Sequence, residues 1–78
     1  MSIESLHDRE IEDAEKDLLL KVGVYETVHP GDPRPAAIRK AIKKCDLGLL
    51  GEIAYTGVPF GQELFNYIQA VNYNPLNT

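Results

Sequence analysis

Leu47-Gly48-Leu49-Leu50-Gly51-Glu52-Ile53-Ala54-Tyr55 is the stretch on which the fold turns. A short apolar run of this kind is either a buried strand or a buried helix, and its period alone does not separate the two. Read as a strand, it would pair with Val24-Tyr25-Glu26-Thr27-Val28 across an intervening helix and form a βαβ unit. Two strands make a poor sheet unless another chain extends it. Two glycines weaken a helix, yet a short buried helix is the better reading, and it makes the chain all-α. The expected fold is three to four short helices in a compact array, with a small α+β form of one or two short strands as the alternative.

The segment before this stretch has the clearest helix start in the chain. Asp32 is an N-cap candidate, and Pro33 fits the first helical position, where its missing N–H costs nothing. Ile38, Ala41, Ile42 and Cys45 fall on one face, which reads as core, and Arg39, Lys40, Lys43 and Lys44 fall largely on the other. The lysines sit in the last turn, where they suit the helix dipole, and Gly48 is read as the end. His29-Pro30-Gly31-Asp32-Pro33 is a turn.

Further toward the N-terminus, Ile3, His7, Ile11, Ala14, Leu18 and Val22 recur at spacings of four and three, predicting a helix over 3–21. Ser2 or Ser5 can cap it, and Gly23 is the expected stop. Residues 24–28 are rich in strand-favouring types and are expected to be a short strand or an extended linker. On the C-terminal side, Thr56-Gly57-Val58-Pro59 is a turn. A last helix follows over roughly 60–72, with Phe60, Leu64, Tyr67, Ile68 and Val71 on one face. The tail 73–78 is expected to fray, leaving a single small helical domain over 1–78.

Seventy-eight residues make one domain with a small core. Such scaffolds usually need a staple: a disulfide, a metal or a partner subunit. Cys45 is the only cysteine, so no internal disulfide is possible, which fits a reducing compartment. His7, His29 and Cys45 are not spaced as the tight pairs of a structural zinc site, and no metal or cofactor is expected. Self-association or a protein partner remains. Met1-Ser2-Ile3-Glu4-Ser5 has neither the basic nor the apolar region of a signal peptide, and no run approaches a membrane span, so a cytoplasmic protein is expected.

The net charge of -4 is unevenly placed. Residues 1–26 carry eight acids against three bases. Residues 27–46 carry Arg34, Arg39, Lys40, Lys43 and Lys44 against Asp32 and Asp46. After Lys44 there is no base at all. These blocks read either as solvated faces of helices or as surfaces that steer a charged partner. Five bases on an acidic chain, with no aromatic among them to stack on bases, are poor footing for nucleic acid.

No constellation carries catalysis. His29 lies between Glu26 and Asp32 but has no nucleophile beside it, and His7 sits on an apolar helix face. Cys45 follows two lysines, but it sits near a helix end whose dipole opposes a thiolate. Gly48, Gly51, Gly57 and Gly61 match no phosphate-binding spacing. The C-terminal third is apolar, aromatic and nearly uncharged, and tyrosine is enriched at interfaces. The expected function is therefore non-catalytic: a small acidic adaptor, inhibitor or regulator that docks a protein partner or itself. Phe60, Leu64, Tyr67, Ile68, Tyr55 and Tyr73 are the expected docking residues, with Arg34, Arg39, Lys40, Lys43 and Lys44 as the steering surface. The alternatives are a nucleic-acid-associated regulator that uses the basic helix 33–45, or an acidic mimic of nucleic acid.

Overall fold

The computed structural model describes the backbone of residues 3–72 and the side chains of residues 8–72. Tyr73, the tail at 73–78 and the side chains of Ile3 and His7 lie outside the described residues. The fold is all-α, with α1 over Ile3–Val28, α2 over Arg34–Lys44, α3 over Leu47–Ala54 and α4 over Gly61–Asn72. The expectation of three to four helices is met, and the run at 47–55 is helical. No strand occurs among the described residues, and none of their helices is long and apolar enough to cross a membrane.

Helix α1 corrects the reading of Gly23 and of residues 24–28, which form neither a strand nor a linker. The helix runs through Gly23 to Val28. Leu18 and Val22 are fully buried, and Tyr25 continues their row three residues on and lies against the core. Packing of that row outweighs both the glycine and the β-branched residues, whose helix penalties are only fractions of a kcal/mol to about 1 kcal/mol each. Thr27 adapts to the helix by donating its hydroxyl to the Gly23 carbonyl at 3.0 Å. The stop comes instead at His29-Pro30. His29 N–H still bonds to the Tyr25 carbonyl at 2.8 Å, but a residue before proline is disfavoured in helical geometry.

Gly23 therefore sits in a helix interior with open space around it: an added Cβ meets nothing within 4 Å. Gly23→Ala is expected to raise stability by about 0.5–1 kcal/mol. Thermal unfolding followed by circular dichroism should show a melting point higher by a few degrees. A lowered melting point would mean that Gly23 is not helical.

Helix α2 starts one residue later than expected, with Pro33 as its N-cap and Arg34 as its first residue. Pro33 already has helical dihedrals, and the Asp32 carboxylate accepts the Arg34 backbone N–H at 2.9 Å. The C-terminus departs from expectation. The helix ends at Lys44, and Cys45 adopts left-handed dihedrals, φ 55° and ψ 38°. Cys45 N–H bonds to the Ile42 carbonyl and Asp46 N–H to the Ala41 carbonyl, a Schellman pattern usually built on glycine. The left-handed turn swings Cys45 off the Ile38–Ile42 face, so the thiol is exposed and not in the core. Asp46 immediately caps the next helix, accepting the Leu49 N–H at 3.2 Å. Gly48 thus lies inside the first turn of α3 and does not end α2.

After α3, Gly57 takes φ +82°, a conformation that side chains other than glycine resist. The turn carries Val58 and Phe60 back into the interior. The core is Leu18 and Val22 of α1, Ile38 and Ala41 of α2, Leu50 and Ile53 of α3, Val58 and Phe60 of the turn, and Leu64 and Tyr67 of α4. No charged or polar side chain is buried among the described residues. Helix α4 lies chiefly against α1 and also against α3, so the first and last helices pair directly. At 1.5 Å per residue α1 is about 39 Å long, close to the 42 Å long axis of the molecule.

Candidate protein-docking groove

Turning Leu18, Val22 and Tyr25 inward leaves Leu20, Val24 and Val28 on another side of α1. Four residues apart, they form one row. They are 66%, 61% and 67% exposed, respectively. Beside them, Lys21, Tyr25, His29, Pro59 and Phe60 complete an open groove of about 570 Å³. Its floor is aromatic: the Tyr25 ring meets Phe60 edge-on at 5.3 Å and lies 4.5 Å from the His29 ring.

A polar pin holds that floor in place. The Tyr25 hydroxyl donates to Asp32 Oδ2 at 2.5 Å and accepts from Arg34 Nη2 at 2.7 Å. Arg34 also bonds to both Asp32 oxygens and donates from Nη1 to Thr56 Oγ1 at 2.9 Å. The pin thus ties the end of α1 to the start of α2 and to the turn after α3. Hydrogen bonds from Arg34, then from Tyr25, hold the Asp32 carboxyl well below the usual carboxylate range. The bond to Asp32 and burial push the Tyr25 phenol up. Near neutral pH the pin therefore keeps one protonation state. That suits a structural clamp, and neither group is poised for proton transfer.

The expected docking residues do not form one surface. Phe60, Leu64 and Tyr67 are buried in the core, and Ile68 is half-buried against it. The apolar face of α4 is turned onto α1 and α3, which leaves it unavailable to a partner. Tyr55 alone stands out, 83% exposed, with its ring edge-on to Phe65 at 5.8 Å. The groove on α1 was missed because residues 24–28 were read as leaving the helix. Once the helix is continued, the row 20, 24, 28 is visible as a second apolar face.

The steering surface is also divided. Arg34 belongs to the pin, and Arg39 makes a two-pronged pair with Glu26, 2.9 Å at each prong. Lys40, Lys43 and Lys44 stay exposed near the end of α2. Three lysines are less than the five that the nucleic-acid alternative counted on. His29 is exposed on the groove rim. Among the described residues, no group of three or more His, Cys, Asp or Glu side chains is placed to hold a metal ion.

Compared with family models, with curated proteins and with solved structures, the chain matches none.

Proposed function

We propose that this chain is a non-catalytic protein-interaction module, an adaptor, inhibitor or regulator, that docks a protein partner or a second copy of itself through the α1 groove. One observation carries the reading: Leu20, Val24 and Val28 stand in a single row, each more than half exposed, over an aromatic floor. Scattered exposed aliphatics are ordinary, whereas contiguous ones beside a groove mark interaction sites. An exposed lone thiol with no partner in the chain suits a reducing, cytoplasmic setting.

Val24→Asp tests the reading, because Val24 lies outside the core and its loss should leave the folding stability within about 0.5 kcal/mol of the parent. Light scattering over a concentration series gives the mass of both proteins. A parent dimer that becomes monomeric in Val24→Asp supports docking to itself. If the parent is a monomer, helical peptides displayed in a library are selected against it and counter-selected against Val24→Asp. Binders that depend on Val24 support a heterologous partner. A monomer that yields none removes the groove as a docking site.

A further inference from the structure

The end of α1 beyond Gly23 is not held by its own residues. Leu18 and Val22, just before the glycine, are fully buried, whereas no residue from Gly23 to Val28 is. Gly23, Val24, Tyr25, Thr27 and Val28 all belong to the weaker helix formers, and glycine is the weakest short of proline. What holds this end comes from outside it. The Tyr25 ring lies against Phe60, and its hydroxyl is held by Asp32 and Arg34. One residue on, Glu26 takes both prongs of Arg39, a half-exposed pair that adds the smaller share. Both arginines belong to α2, and neither lines the groove.

Val24 and Val28 sit in this segment, and only Leu20 of the exposed row lies before it. We infer that residues 23–28 form an order–disorder element, hinged at Gly23 and clamped from α2, whose winding assembles the docking row. With the clamps closed, Val24 and Val28 stand in line with Leu20 over the aromatic floor. With the segment unwound, Leu20 stands alone and the groove loses a wall, while Leu18 and Val22 keep the rest of α1 in the core. Segments with few buried contacts are where folded proteins open locally, and such openings are a common way to switch a binding surface. The element deepens the docking reading and rests on it for its use, although the winding itself is measured without a partner. Helix α2 then controls the row through residues that an occupant never touches.

Amide hydrogen exchange of the full chain, read residue by residue by NMR at rising urea below the unfolding transition, tests the element. The amides of Tyr25, Glu26, Thr27, Val28 and His29 are expected to be at least about tenfold less protected than those of Leu18 and Val22. Their exchange should be indifferent to urea, because unwinding them exposes little surface. Tyr25→Phe with Glu26→Gln keeps the ring on Phe60 but opens both clamps, and should speed these amides about tenfold. Gly23→Ala in the same background should slow them again, since an added Cβ there meets nothing within 4 Å. If residues 25–29 share the protection and urea dependence of Leu18 and Val22, the segment opens only with the whole fold and the inference falls. It falls equally if their exchange is insensitive to urea but unmoved by the substitutions at the clamps and at Gly23. A helical peptide whose binding depends on Val24 should slow these amides in the parent, and an unchanged rate at saturation would sever winding from docking. If selection yields no such peptide, the docking reading falls by itself, and the exchange pattern still decides whether the element exists.

Discussion

Phe60→Ala is expected to remove about 3–5 kcal/mol of folding stability, the usual cost of deleting a buried phenylalanine. Phe60 is 2% exposed and joins the turn before α4 to the core and to the Tyr25 ring. A chain of this length has a total stability of about 4–12 kcal/mol. The variant should therefore melt more than ~12 °C lower or be partly unfolded at room temperature. Urea unfolding followed by circular dichroism measures the loss directly. The comparison with Val24→Asp is informative, since the two substitutions should act oppositely. One lowers stability through the core, and the other removes docking and leaves the fold intact. If Phe60→Ala kept the parent's midpoint, Phe60 would be a surface residue and the α4 face would be open to partners after all.

Asp32→Asn is expected to cause the largest loss among single polar substitutions, and the loss should depend on pH. The carboxylate is the shared acceptor for Tyr25 and Arg34, so its neutral replacement weakens the clamp between α1, α2 and the turn after α3. The folded-state value of Asp32 is depressed, so its stabilising contribution is complete above the unfolded value, near 4. It declines as pH falls through that value toward the lower folded one. Melting curves from pH 7 down to pH 3 should show the parent and Asp32→Asn converging as acid is added. Curves that stay parallel would mean that Asp32 contributes nothing through its charge. Glu26→Gln is a useful control, because the Glu26–Arg39 pair is half exposed and such pairs contribute little.

Much of the fold was legible where local chemistry and long-range packing agree. The start of α2 was readable to within one residue because Asp32 and Pro33 act within two residues of themselves. The run at 47–55 was correctly read as helix, although its strongest local signal, the Asp46 cap, had been counted only as a charge. The misreadings share a cause. At Gly23 and Val24–Val28 local preference favoured a stop and a strand, but burial of Leu18, Val22 and Tyr25 kept the helix going. Cys45 was in phase with Ile38 and Ile42, but one left-handed residue breaks phase, and nothing in a cysteine announces it. Phe60, Leu64 and Tyr67 were recognised as an apolar face. Whether such a face turns to a partner or inward depends on what the rest of the chain offers, and here α1 and α3 take it. The misplaced end of α1 then hid the groove.

The pairing of α1 with α4 has a consequence for how the protein is made. Leu18 and Val22 leave the ribosome long before Leu64 and Tyr67, the residues that cover them. During synthesis α1 therefore shows apolar groups on two sides at once, the row of Leu20, Val24 and Val28 and the future core. Neither α2 nor α3 alone can close that second side, because α4 is its principal cover. The nascent chain passes through a stage in which the first helix shows both apolar sides and α4 has not emerged. Only the emergence of α4 covers the core face of α1 and leaves Leu20, Val24 and Val28 as its exposed aliphatic row.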